Sequence, residues 1–174
     1  MKMKKIFTPV LVLTVIGLML SSGVSAQTDT VTATVTVSNS SISLDQSSFA
    51  YGSTPANTAT TTLALFSGAG ITATNGGSLA DFDIQGANTA NWTLNTATSS
   101  ADNFIHKFCN DTDNTCTGSS YVSPYTALTT SYQTLKASVA AAGTVAFQLA
   151  LHTPNPSTVY TEQSAVVTVQ ASAL

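Results

Sequence analysis

The stretch from Thr30 to Val37 reads TVTATVTV, in which threonine and a small or branched aliphatic residue alternate without interruption. Successive side chains of a β-strand point to opposite faces of its sheet. The pattern therefore places the threonines on one face and the aliphatic residues Val31, Ala33, Val35 and Val37 on the other. A period of two predicts a half-buried strand, which we expect to pair within its own sheet.

Further short apolar runs follow, each bounded by Gly, Pro, Asn, Asp or Ser. They cover residues 42–44, 49–51, 60–65, 70–74, 82–84, 92–94, 104–109, 132–139, 145–151 and 165–171. Strands at this spacing are typical of a sandwich or a barrel. We expect an all-β fold, an antiparallel β-sandwich of the Ig-like, Greek-key type that follows an N-terminal signal helix. The predicted core residues are Phe82, Ile84, Trp92, Leu94, Phe147, Leu149 and Leu151.

The N-terminus has the pattern of a secretion signal. Lys2, Lys4 and Lys5 precede an apolar stretch, residues 6–20, which is followed by the small residues 21–26. The apolar stretch is shorter than the roughly 18 to 20 residues that a spanning helix needs. We expect residues 1–26 to form a signal helix that is cleaved and residues 27–174 to form a single β-sandwich domain. The alternative is an uncleaved N-terminal anchor.

Cleavage would make the chain strongly acidic. Three of the five lysines leave with the signal, so two lysines remain beside eight acidic residues, and the formal charge is −6. Nucleic-acid binding requires Lys and Arg side chains that neutralise phosphates. The composition therefore predicts no nucleic-acid partner, no attraction to an anionic membrane surface and no membrane insertion after cleavage. A secreted or cell-surface location is expected.

The two cysteines of the chain, Cys109 and Cys116, predict a disulfide, because an even number of cysteines in an exported protein is typically paired. The loop between them contains Asp111 and Asp113, whose carboxylates are the hard oxygen ligands that calcium prefers. Calcium is the one cofactor considered, and a solvated turn pinned by the disulfide is the alternative. Tyr121 and Tyr125 follow the loop, either as sugar-stacking rings or as ordinary surface residues.

Residues for catalysis are sparse. The sequence contains neither a GxSxG nor an HExxH pattern, and it has one glutamate. His106 and His152 are the two bases that could activate a serine, and we expect an exposed strand position for His106 and a loop position for His152. These observations predict a protein that is not an enzyme.

Four blocks carry a resemblance that covers most of the expected domain: NGGSLADFDIQGANTANWTL (75–94), FIHKFC (104–109), YTALTTSYQTL (125–135) and YTEQSAVVTVQASA (160–173). In these blocks the chain resembles small exported β-rich proteins from uncultivated small-genome bacteria. The resemblance implies a secreted or surface role and supplies no catalytic residues.

A second, weaker resemblance is to the Ig-like subunits of pili and spore-coat-type fimbriae, which exchange a strand between neighbours. It rests on residues 30–37, SFAYGSTP (48–55) and VYTEQSAVVTV (159–169). The resemblance implies that residues 30–37 add to the sheet of a neighbouring copy by β-augmentation. The alternative is the pairing within the chain's own sheet that is described above.

Three functions remain open from the sequence. The first is a non-enzymatic secreted or cell-surface module with a structural or adhesive role. The second is a pilus or coat subunit that assembles by strand exchange through residues 30–37. The third is a calcium- or carbohydrate-binding module that uses the acidic disulfide loop. The expected partners are other copies of the chain, other cell-surface proteins or glycans.

The proposed cleavage site makes a direct prediction. When a bacterial host exports the protein, the product should begin at Gln27, because Val24 and Ala26 are the small residues that signal peptidase requires. Intact-mass spectrometry and N-terminal sequencing would identify that end. A product that still begins at Met1 would show that the signal is retained as an anchor.

Overall fold

Strands make up nearly all of the regular structure in the computed structural model, which describes residues 31–112, 115–116 and 124–174. The strands are β1 (Ile42–Leu44), β2 (Ala59–Thr61), β3 (Ile71–Asn75), β4 (Ala80–Gly86), β5 (Thr93–Asn95), β6 (Asn103–Asn110), β7 (Thr126–Ala127), β8 (Gln133–Val139), β9 (Thr144–His152) and β10 (Val167–Ala173). One helical turn, α1 (Thr62–Leu65), lies between β2 and β3. The all-β prediction is confirmed.

The chain divides into two units, residues 1–36 and residues 37–174. The structure describes residues 31–36 of the first unit, and the expected signal, residues 1–26, lies outside the described residues. Within the part of the chain that is described, no helix has the length and apolar character needed to cross a membrane.

The strands of the second unit form two sheets. The larger has the order β1-β3-β9-β6-β5, with β2 also beside β9 and β7 also beside β6; the smaller has the order β10-β4-β8. Both sheets contribute to one hydrophobic core, as two sheets that pack face to face do. Its buried residues are Ile71, Ala73, Phe82, Ile84, Phe108, Leu128, Leu135, Val139, Val145, Phe147 and Leu149.

The alternation of β4 shows why its sequence forms a strand between the core and solvent. Phe82 and Ile84 are fully buried, whereas Asp81 and Asp83 are half-exposed on the other face. A strand with one apolar and one polar face is stable where one face meets a core and the other meets water. In the smaller sheet β4 is the central strand, between β10 and β8.

One pair of strands departs from the antiparallel expectation. β5 runs parallel to β6, whereas the other pairs of described strands are antiparallel. The loop between them, residues 96–102, returns the chain to the end of the sheet where β5 begins, and Thr93 N–H donates to Asp102 O at 2.9 Å. The Ig-like, Greek-key arrangement stays a prediction.

Five of the seven predicted core residues are buried: Phe82, Ile84, Phe147, Leu149 and Leu151. Trp92 and Leu94 are half-buried; Leu94 still packs against the main core, whereas the core prediction is wrong for Trp92. Both side chains are partly exposed because they lie at the edge of the larger sheet. Leu94 belongs to the three-residue strand β5, and Trp92 immediately precedes that strand.

The predicted strands at 49–51 and 60–65 also need correction. Phe49 and Tyr51 lie outside the ladders, and their rings contact each other in an edge-to-face arrangement at 5.0 Å. In the second run, the strand ends at Thr61 and the chain continues as the helical turn α1. The hydroxyl of Thr61 accepts from Ala64 N–H at 3.3 Å and caps that turn. Side-chain contacts override strand propensity at both places.

The strand predicted for residues 30–37 is absent from the described part of that segment. Residues 31–37 lie in no strand, and Thr30 lies outside the described residues. Val31, Val35 and Val37 are 96, 88 and 83% exposed. The expected pairing within the chain's own sheet is therefore wrong, and the segment keeps the alternation of a strand without the partner that a strand needs.

Candidate functional site

Strand β9 has a two-residue interruption on one of its edges. Along that edge β3 pairs with residues 144–147 and β2 pairs with residues 150–152. Gln148 and Leu149 lie between these two paired stretches. Opposite them, the chain ends β2 at Thr61, leaves the edge of β9 and forms α1. The N–H of Leu149 donates to Thr62 Oγ1 at 2.8 Å, so a side chain replaces the missing strand.

A buried polar network extends from this interruption, and we call it the Gln148 network. Thr62 Oγ1 donates to Gln148 Oε1 at 2.7 Å, and Gln148 Nε2 donates to Asp111 Oδ2 at 2.9 Å. Asp111 Oδ1 in turn accepts from the N–H of Cys116 at 3.0 Å. Each unpaired polar group would cost about 1–3 kcal/mol when buried, so this network is a requirement of the fold.

A glycine lies close against the network. A Cβ atom on Gly70 would lie 3.0 Å from Phe147 O and 3.2 Å from Gln148 Nε2, which is tighter than ordinary packing. The absence of a side chain at Gly70 lets the chain return to β3 directly over β9.

The predicted disulfide is confirmed. Cys109, in β6, is bonded to Cys116, with the Cα atoms 5.9 Å apart. Both cysteines are buried with Tyr125 and Ala150 in a small cluster that is distinct from the main core. The Asp111 carboxylate and the disulfide therefore hold the same loop at two points.

The calcium hypothesis gains no support from Asp111. Both of its carboxylate oxygens accept hydrogen bonds from the protein, and its side chain is 7% exposed. Asp113 lies outside the described residues. The described ranges contain no group of three or more His, Cys, Asp or Glu side chains that could hold a metal ion. Calcium binding stays a prediction.

Of the two tyrosines proposed for sugar stacking, one lies in the described part of the chain and is buried. Tyr121 lies outside the described residues, whereas Tyr125 is 5% exposed, which leaves little ring surface for a sugar. The hydroxyl of Tyr125 is buried without a hydrogen-bond partner among the described residues. Burial, and next the nearby Asp111 carboxylate, raise the pKa of Tyr125.

The expectation of an exposed His106 is wrong, because its side chain is 2% exposed. Strand β6 has neighbours on both sides and buried residues on both faces, so a period of two does not mark a solvent face there. Tyr51 Oη and His106 Nε2 are 2.9 Å apart and share a hydrogen bond. His152, expected in a loop, is the last residue of β9.

His106 stands in a continuous row of rings. Its neighbours in the row contact one another at centroid distances of 5.0 to 6.4 Å, in the order Trp92, Phe104, His106, Tyr51, Phe49 and Phe66. The sequence signal was the spacing of Phe104, His106 and Phe108 at every second position of one strand. Such a histidine between two core phenylalanines belongs to the core.

Burial lowers the pKa of His106 to about 4. Burial, and next Tyr125, raise the pKa of Tyr51 far above its usual value. Both side chains are therefore neutral near pH 7. The polar contact between them is one hydrogen bond inside the row of rings. Burial, and next Lys107, also lower the pKa of His152, at the end of β9.

Comparison of the chain with protein-family models, with curated proteins and with solved structures found no match.

The buried histidine predicts a pH dependence of stability. The unfolded chain binds a proton on His106 near pH 6.5, whereas the folded protein binds it near pH 4. The free energy of unfolding should therefore fall by about 3 kcal/mol as the pH decreases through this window, at about 1.4 kcal/mol per unit. Urea unfolding at a series of pH values would measure it.

The two histidines of the chain supply a matched comparison for this prediction. His106→Gln should flatten the pH dependence, whereas His152→Gln should leave most of it, since His152 is only half-buried. An unchanged slope in His106→Gln would show that another group is responsible.

Proposed function

We propose that the protein is a non-enzymatic structural subunit of an extracellular assembly, in which copies join when residues 31–37 of one copy add to a sheet of the next. The observation that carries the proposal is the exposed alternating segment itself. Three valines of one face are 83 to 96% exposed, and the segment lies in no strand of the described structure.

Burial of that face supplies a driving force for assembly. A fully buried valine contributes about 1.5–3 kcal/mol relative to an exposed one, and Val31, Val35 and Val37 are available together. Residues 31–37 contain no charged side chain, so their burial removes no charge from water. Seven extended residues span about 23 Å, enough for backbone hydrogen bonds along a complete strand.

The remaining parts of the proposal have separate support. A disulfide persists in oxidising compartments, which favours an exported protein. His106 and Asp111, two candidates for catalysis or ligand binding, are engaged with Tyr51 and with the Gln148 network, which favours a structural role. An Ig-like, Greek-key sandwich belongs to the same proposal, and two sheets on one core support it.

Self-association is favoured over adhesion to a foreign protein or a glycan. The exposed apolar face belongs to a segment whose sequence alternates as a strand does, and a strand is completed by pairing with the edge of a sheet. The chain provides sheet edges of its own.

A pair of substitutions at adjacent positions tests the proposal. Val35→Asp places a charge on the face that would be buried, so the exported protein should lose its assemblies and run as a monomer. Thr34→Asp places the same charge on the opposite face and should leave assembly unchanged. Size-exclusion chromatography with light scattering, and electron microscopy of the same samples, would report both.

The proposal fails if Val35→Asp assembles as the wild-type protein does. It also fails if the wild-type protein remains a monomer at high concentration, because the segment would then have no partner in a second copy.

A further inference from the structure

The strands at the sheet edges differ in length. In the larger sheet, the strands with a partner on one side only are β1, β2, β5 and β7, and each has three residues or fewer. In the smaller sheet, β8 and β10 are the edges, and each has seven residues. Short edge strands are poor templates for pairing, so β8 and β10 are the edges that a seven-residue strand would fit.

β8 carries the features that protect an edge against pairing. Lys136 lies in its middle, its register with β4 shifts twice, and Ser138 has a positive φ of 55°. Charged side chains and irregular register are ways in which proteins prevent an edge from accepting another strand. β8 is thus unsuited to a partner.

β10 carries none of these features in the described structure. Its register with β4 is continuous over seven pairs, from Val167↔Gly86 to Ala173↔Ala80. The strand contains no charged residue and no proline. An edge that is long, regular and uncharged is a template for another strand.

The direction of the backbone groups of β10 follows from its hydrogen bonds. The N–H of Leu174 donates to Leu79 O, on the β4 side, whereas the N–H of Ala173 donates to Ser40 Oγ. Because successive residues of a strand point their N–H and C=O groups to opposite sides, those of Val167, Val169 and Ala171 point to the free edge. The even residues bond β4.

The side chains of the same three residues face the core. Val167, Val169 and Ala171 pack against the main core but are only half-buried, unlike Phe82 and Ile84 of the neighbouring strand. The core is therefore incompletely covered along the free edge of β10. One additional strand with apolar residues at every second position would cover it.

We propose that the free edge of β10 is the acceptor, and that its occupant is the segment 31–37 of a second copy. This inference rests on the proposed function and names the surface that it requires. Donor and acceptor both have seven residues, both are uncharged, and both alternate aliphatic with polar side chains. The donor's aliphatic residues would extend the core, and its threonines would lie beside Thr168 and Gln170 on the outer face.

The donor segment and the acceptor edge are different surfaces of one chain, so each copy can donate to one neighbour and accept from another. Such heterologous contacts generate an open filament unless the rotation closes a ring.

Proline substitutions at free-edge positions test the acceptor. Val169→Pro removes an N–H that faces the edge and leaves the hydrogen bonds to β4 in place. Leu44→Pro is the matched control on β1, because Asp45 N–H donates to Thr72 O and the N–H of Leu44 therefore faces the free edge of that strand. Ala171→Pro repeats the test at a second position of β10.

We expect the full-length exported Val169→Pro protein to lose assembly and Leu44→Pro to retain it. A mixture then tests direction: Val169→Pro has an intact donor, and Val35→Asp has an intact acceptor. Together they should form a one-to-one dimer that grows no further, although each alone is a monomer. Far-UV circular dichroism and the unfolding transition would show that each variant is folded, and Ala171→Pro replaces Val169→Pro if the latter is not.

Three other outcomes identify which proposal fails. If Leu44→Pro abolishes assembly and Val169→Pro does not, the acceptor is β1, and strand addition itself stands. If both prolines leave assembly intact while Val35→Asp abolishes it, the β10 inference is overturned alone. If the wild-type protein is a monomer, or Val35→Asp assembles, both proposals fail.

Discussion

The pairing of β10 with β4 is the constraint on which the proposed assembly depends. Seven consecutive residue pairs fix the register, and the register fixes both faces and both edges of β10. With Ile84 opposite Val169, the odd residues of β10 must face the core, and their backbone groups must face away from β4. A shift of one residue would reverse every side chain and every amide of the strand.

Elsewhere in the fold, side chains of the chain itself bond to backbone groups that lack a strand partner, or protect an edge against pairing. Where β2 and β3 fail to meet along β9, Thr62 and Gln148 supply the missing hydrogen bonds, and Asp111 and the disulfide bring the neighbouring loop against them. Lys136 and an irregular register with β4 protect the free edge of β8 against pairing. β10 differs from both places: Ser40 Oγ accepts from Ala173 N–H at one end of its free edge, but no charged residue or register shift interrupts the stretch from Val167 to Ala171.

The sequence predicted much of this fold, because the apolar residues of strands such as β4 and β9 mark one continuous core. It predicted the disulfide, because an even number of cysteines in an exported chain is typically paired. It failed at His106, since a strand buried on both faces shows no polar period. The Gln148 network was also missed, because Thr62 and Gln148 are 86 residues apart and neither is unusual in composition.

The segment 31–37 shows the limit of such patterns most clearly. Its alternation predicts a strand, yet residues 31–37 lie in no strand of the described structure, and alternation does not say which sheet would supply a partner. Local sequence determines the two faces of a strand, whereas the partner depends on which edges the remaining fold leaves open. The proposed partner, the edge of β10, rests on the contrast between its regular register and the short or irregular edges of the other described strands.

Hydrogen–deuterium exchange of individual β10 amides is the most direct measurement of strand addition. We expect Thr168, Gln170 and Ser172 to be protected in every sample, because their N–H groups face β4. Val167, Val169 and Ala171 should exchange quickly in the Val35→Asp monomer and slowly in the wild-type assembly. If these three amides exchange equally fast in both samples, residues 31–37 of a second copy do not pair with β10.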